Sequence, residues 1–300
     1  MSAQQLQSIL QIAAQNPPPP LADLPRLRAW FDATNSQMPP ADDLRITALR
    51  IPGAEGSTLD AEVLDTPGSD PTKLIIYFHA GGFLFGSLQS HRTLCSYLGQ
   101  FSGARVLNVA YRLAPEHPAP TAHEDAFAAY QWALANGYAA SAIALAGDSA
   151  GGNLALATAV RVRDRGLARP CAVVALSPGL DFTAEGESHR TVDDPFITQE
   201  LMDLVVAGYA QGGDPRSEAM TPFYSALEGL PPVQLQVGSQ ERLRDDAETM
   251  AARLTSAGVD VECHVWPGMV HCWQLFAPLL DEAMASLEQA GRFIAARQRS

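Results

Sequence analysis

Short apolar runs recur along this chain at wide intervals, and segments with a helical stripe fill the gaps. LIIYF at 74–78 is followed by RVLNV at 105–109, AIALA at 142–146, AVVAL at 172–176, VQLQV at 233–237 and VDVECHV at 259–265. Runs this short, closed by turn residues, predict strands buried in a sheet. Helical periodicity predicts helices over 91–102, 121–136, 153–166, 245–257 and 279–297. Strands alternating with helices predict an α/β chain, with a mostly parallel central sheet flanked by helices.

Two regions stand outside the alternation. Before the proline run Pro17 to Pro20, Leu6, Ile9, Leu10 and Ala13 form a helical stripe; after it, Leu24, Leu27, Trp30 and Phe31 form another. Proline cannot continue a helix, so the run separates two short helices. From about 185 to 221 the text is helical, as at 199–210, without a strand. The expected division is an α/β domain at 46–185 and 222–300 and a helical cap at 1–45 and 186–221. Such a cap covers the carboxyl ends of the strands, where open α/β sheets bind ligands.

Composition narrows the function classes. Apolar residues are 47% and charged residues 18% of 300 positions, enough for a full core. A net charge of -13 disfavours nucleic acid and anionic membrane as partners. No apolar run approaches the roughly 20 residues that span a bilayer. The N-terminal text lacks the basic start and apolar centre of a secretory signal. The four cysteines are scattered without a C-x-x-C pair, which argues against a disulfide framework or zinc site. The expectation is a reduced cytoplasmic protein without metal or cofactor; a homodimer stays open.

The sharpest motif is GDSAGG at 147–152, directly after a strand run and opening a helix. This is G-x-S-x-G in the strand–turn–helix setting of a nucleophile elbow. It makes Ser149 the candidate nucleophile, and a serine hydroxyl needs a base. Of seven histidines, His264 lies inside a strand run, whereas His271 follows it in a loop. That loop is where the base belongs, since the partners follow in the order serine, acid, histidine. After VQLQV, Glu241 comes first in the loop; Asp245 is the rival, at a position where an aspartate more often favours a helix start. HAGGF at 79–83 supplies glycines after a strand, so the backbone amides of Gly81, Gly82 and Ala150 are the candidate oxyanion donors. His79 reads as structural, because its loop precedes the nucleophile. Cys272 reads as packing beside His271.

These segments together resemble the hormone-sensitive-lipase-like family of bacterial esterases. HAGGFLFGS at 79–87 resembles its HGGG loop, YRLAPEHPAP at 111–120 its YRLAPE-HP-P segment, and GDSAGGNLA at 147–155 its elbow. SPGLD at 177–181 and WPGMVH at 266–271 resemble its SP-x-x-D and histidine-loop segments. The resemblance implies an α/β-hydrolase fold with a helical cap, and a triad of Ser149, Glu241 and His271. It implies oxyanion donors at Gly81, Gly82 and Ala150. The chain departs from the pattern at Ala80, which replaces the first glycine, and at Glu241, where most members have aspartate. Ala80 is not an expected donor, so the hole should survive. Tyr111, Arg112, Asp125 and Asp181 read as structural, within a buried arginine–carboxylate network. Phe83, Leu84, Tyr209 and Trp273 are candidates for the pocket wall, with core or cap packing as the alternative.

The expected activity is a serine carboxylesterase that hydrolyses a small-molecule ester with a short- to medium-chain acyl group. An amide, acetyl or lactone substrate would use the same residues. A non-catalytic receptor on this fold is the alternative of another class, disfavoured because His271 is present. A dehalogenase or epoxide hydrolase needs aspartate at the elbow, where this chain has Ser149.

Overall fold

The computed structural model describes residues 2–299. Eight strands form one sheet: β1 (Arg45–Pro52), β2 (Thr58–Asp65), β3 (Asp70–Phe78), β4 (Ala104–Val109), β5 (Ile143–Asp148), β6 (Ala172–Leu176), β7 (Val233–Gly238) and β8 (Val261–Trp266). Their spatial order is β1-β2-β4-β3-β5-β6-β7-β8. From β4 to β8 all neighbours are parallel, while β1 and β2 add an antiparallel edge. The described helices are α1 (Ser2–Gln15), α2 (Leu24–Asn35), α3 (Leu88–Ser102), α4 (Thr121–Ala135), α5 (Ala150–Asp164), α6 (Ser188–Thr191), α7 (Gln199–Val205), α8 (Arg244–Ser256) and α9 (Asp281–Ala295). A π-helical turn, Val206–Ala210, continues α7.

The period of a strand explains the layers. Leu74, Ile76 and Phe78 of β3 point to one face, with Leu154 of α5 and Met250 and Leu254 of α8. Ile75 and Tyr77 point to the other, with Leu94 and Leu98 of α3 and Leu287 and Ile294 of α9. Each such side chain, withdrawn from water, contributes about 1.5–3 kcal/mol, which is why the central strands tolerate apolar residues at every position.

The β1–β2 hairpin is a departure from the strands predicted above. Of the β1 residues only Ile51 is buried, so RITALRIP carries no continuous apolar run. Among the described residues no helix is long and apolar enough to cross a membrane.

The segments outside the alternation bear on the strand ends. In α2, Arg28 donates to the Leu84 carbonyl at 2.7 Å and the Ala114 carbonyl at 2.8 Å, and pairs with Glu116 at 2.7 Å. Val205 of α7 reaches the loop after β3 from above. A Cβ added to Gly82 would lie 2.4 Å from its Cγ2.

Candidate active site

Ser149 is the single residue between β5 and α5. Its φ of 52° and ψ of -116° lie outside the regions that side chains ordinarily tolerate. Two hydrogen bonds hold the turn: its N–H donates to the Leu176 carbonyl at 2.9 Å, and its carbonyl accepts from Gly179 at 3.2 Å. The turn requires Gly151, since a Cβ there would stand 1.8 Å from the Phe78 carbonyl oxygen. The side chain before it, Asp148, is fully buried. Asp148 accepts from the Tyr77 hydroxyl at 2.8 Å and lies 3.2 Å from His91 Nε2. Burial opposes its ionisation, but His91 and Tyr77 outweigh that and hold it below the ordinary carboxylate range.

The next strands deliver their loops to the same rim. In register, Asp148 faces Leu176, Leu176 faces Gln236, and Gly238 faces Trp266. Glu241 therefore follows β7, and His271 follows β8, beside the elbow. The two loops are laced together, with Gln240 N–H donating to the Met269 carbonyl at 3.0 Å. His271 Nδ1 donates to Glu241 Oε2 at 2.8 Å. The other oxygen of Glu241 accepts from Gly238 N–H at 2.5 Å and from the Ser177 hydroxyl at 2.8 Å. Burial raises the Glu241 pKa, partly offset by these donors. Burial also works against a charged His271, but Glu241 overcomes it and lifts the imidazole above 6.5. Among the described residues the side-chain partner of His271 Nε2 is Cys272 Sγ at 3.3 Å rather than the Ser149 hydroxyl.

After β3 the backbone runs left-handed through Gly81 (φ 118°), Gly82 (φ 58°) and Phe83 (φ 62°). Among the described residues the N–H groups of Gly81, Gly82 and Ala150 carry no hydrogen bond. The Ala80 N–H faces His91 Nε2 at 3.1 Å and is not one of those three amides. His79 stacks on Tyr111 at 4.2 Å, and Tyr111 donates to the His79 carbonyl at 2.7 Å. Burial pushes His79 down to about 3, so it is neutral and part of the loop's support.

Asp245 is spent elsewhere: its carboxylate accepts from Ser188 N–H at 2.9 Å and pairs with Arg244. Arg112 grips Asp125 through two side-chain bonds of 2.9 and 2.8 Å. Asp181 differs from the expected network, since its donors are the Thr183 and Tyr224 hydroxyls and backbone amides rather than an arginine. His264 sits half-buried on β8 beside Gln289. The pocket expectation needs correction at Trp273, which is fully buried on the α3–α9 face against Trp266. Its place just after the histidine loop reads the same for core as for pocket. Phe83, Leu84 and Tyr209 are also buried, within the opposite core layer under α7. A cleft of about 430 Å³ opens nearby, lined by Phe182, Met202 and Val206 among others. Phe182 lies 6.1 Å from the Phe83 ring. Sequence reasoning missed Ser177, although SPGLD contained it. Ser177 joins Glu241 to the Cys272 N–H, from which its oxygen accepts at 3.2 Å.

Comparison with known proteins gives the family. A family model described as the alpha/beta hydrolase fold matches residues 75–275. The acetyl-hydrolase of Streptomyces hygroscopicus is 41% identical over 230 residues, covering 76% of this chain and 77% of its own. Esterase LipU of Mycobacterium tuberculosis is 36% identical over 264 residues, covering 85% of this chain and 88% of its own. The crystal structure of an esterase from the bacterial hormone-sensitive lipase family superimposes with a TM-score of 0.93 at 38% identity, covering 99% of each chain. With an eight-stranded sheet, a serine elbow and a histidine–glutamate pair at one rim, the chain belongs to the α/β-hydrolase family, among its hormone-sensitive-lipase-like bacterial esterases.

Proposed function

We propose that the protein is a serine carboxylesterase acting on short- to medium-chain acyl esters, with Ser149 as nucleophile, His271 as base and Glu241 as acid. The observation that carries this reading is the 2.8 Å bond from His271 Nδ1 to Glu241. It places the Nδ1 proton on the acid side and leaves Nε2 with a lone pair to accept from serine. In the first step Nε2 turns from Cys272 Sγ and takes the Ser149 proton as Oγ attacks the ester carbonyl. Catalytic contacts of this kind often tighten only with substrate present. The carbonyl electrons move onto oxygen, which the amides of Gly81, Gly82 and Ala150 stabilise at the positive end of α5. Collapse expels the alcohol, protonated by His271. Water then attacks the acyl-serine, with His271 again the base, and the carboxylic acid leaves.

A small acyl or alcohol group is the substrate that the family resemblance supports. The acetyl-hydrolase relative points the same way and favours a second reading, release of acetyl from an ester or amide. A panel of p-nitrophenyl esters from acetate to palmitate, with an acetanilide arm, tests both. Highest kcat/KM at two to eight carbons supports the esterase reading. Preference for emulsified long-chain triglyceride refutes it, and faster acetanilide cleavage replaces it with an amidase. We further propose that the protein acts in the cytoplasm; fractionation of cells that express it tests this.

A further inference from the structure

We infer that Tyr209 is a positioning residue that holds the oxyanion loop in its left-handed path by stacking on Phe83. The inference rests on the reading that Gly81 and Gly82 receive the oxyanion. Phe83 is not glycine, yet it carries a φ of 62° directly after Gly82. A bulky side chain in that region is strained, and persists only when its surroundings hold it. Two contacts do so. The Phe83 carbonyl accepts from Ala114 N–H at 2.8 Å, and the Phe83 ring stacks on Tyr209 at 4.0 Å with 9° between planes. Both rings are fully buried.

Tyr209 is itself fixed from three sides. It lies in the π-helical turn after α7, a backbone irregularity often found where a helix serves a site. Its carbonyl accepts from Ala119 N–H at 2.9 Å. Its hydroxyl is 2.6 Å from His123 Nδ1, and His123 Nε2 is 3.0 Å from Asn153 Oδ1. The proton positions follow. Asn153 Nδ2 donates to the Gly179 and Met220 carbonyls, so Oδ1 must accept. His123 Nε2 is then the donor, Nδ1 the acceptor, and the tyrosine hydroxyl donates to it. Asn153 lies one turn beyond Ser149 on α5 and donates its N–H to the Ser149 carbonyl at 3.2 Å. The oxyanion loop and the nucleophile helix are thus tied to one another through Phe83, Tyr209, His123 and Asn153. A segment inserted between β6 and β7 completes the tie.

The test separates hole geometry from general packing. An aryl trifluoromethyl ketone accepts the Ser149 oxygen at its carbonyl carbon, forming a hemiketal whose oxyanion occupies the hole while the serine proton passes to His271. Tyr209→Leu, which removes the flat ring, is expected to lower kcat by about 10- to 100-fold, with KM for p-nitrophenyl butyrate changing less than about threefold. Its Ki for the ketone should rise in step with the fall in kcat/KM. Tyr209→Phe keeps the stack and should recover kcat to within about threefold, while losing thermal stability through the unpartnered His123 Nδ1. Should the leucine variant not fold, Tyr209→Met carries the same test. A rise in KM at constant kcat makes Tyr209 a substrate wall, and unchanged ketone affinity makes it ordinary packing; either overturns the inference. Ser149→Ala in the same assay keeps the outcomes distinct, because residual turnover there sinks the triad reading itself.

Discussion

The sulfur of Cys272 lies 3.3 Å from Nε2 of His271, the ring nitrogen opposite the one that binds Glu241. Burial and the nearby Asp148 raise the thiol well above its ordinary pKa, so it is a neutral S–H at working pH. The residue is held at φ 52°, with its N–H donating to Ser177 Oγ. A thiol makes a soft, weak hydrogen bond, easily exchanged for a serine hydroxyl. Cys272→Ser supplies a stronger partner for Nε2 and is expected to lower kcat about 10-fold, the equivalent of one ordinary hydrogen bond. Cys272→Gly suits the backbone and frees Nε2, so kcat should stay within about threefold of the wild type. Steady-state kinetics on a short ester decides, and a serine variant as active as wild type contradicts the exchange.

The pH profile follows from the direction of the His271 shift. In the proposed mechanism His271 acts as neutral imidazole, and Glu241 raises its pKa above 6.5. Activity should therefore climb as pH rises through a value above 6.5, read as the acid limb of kcat/KM. Glu241→Gln removes the charge that favours imidazolium, so the limb should move toward acid. Turnover should fall on the order of 10⁴-fold, as when another triad acid loses its charge. Asp245→Asn should stay within about threefold. The reverse pattern would reassign the acid.

Gly82→Ala adds a Cβ at φ 58°, 2.4 Å from Val205 Cγ2. The loop or α7 must shift, and the amide of residue 82 with it. Loss of one such donor costs about 10²- to 10³-fold in kcat. The double variant Gly82→Ala with Val205→Ala removes the collision and should regain part of the loss. No gain would mean that the strained φ alone is responsible.

Asp246 ties the segment after β6 to α8. Its carboxylate accepts from His189 Nε2 at 2.6 Å and from the Leu180 and Asp181 amides at 2.8 Å each. Removing one partner of a buried pair costs about 3–5 kcal/mol. Asp246→Ala should lower the urea midpoint accordingly, and a loss under about 1 kcal/mol would show that water replaces the carboxylate.

The strands β3, β5 and β6 were readable because burial on both faces writes an apolar run into the sequence, whereas β7 alternates apolar residues with the buried Gln234 and Gln236. The β1–β2 hairpin was not, since β1 keeps nearly all its side chains near water and needs no such run. The pairing of Glu241 with His271 was legible in the text because the fold brings neighbouring strand ends to one rim, so chain order stands in for distance. No such rule connects Phe83 with Tyr209, or Ser177 with Glu241 and Cys272. Those contacts depend on how an insertion and three loops settle against one another. Trp273 marks the same limit, since an aromatic after a histidine loop has no pattern that distinguishes pocket from core.

Covalent trapping tests the central assignment most directly. The protein is exposed to a fluorophosphonate, digested, and its adduct mapped by mass spectrometry. One phosphonylated peptide carrying Ser149 is predicted, with labelling and ester turnover lost together and Ser149→Ala inert in both while still folded. Full activity after exhaustive exposure, or turnover by Ser149→Ala, would contradict the assignment.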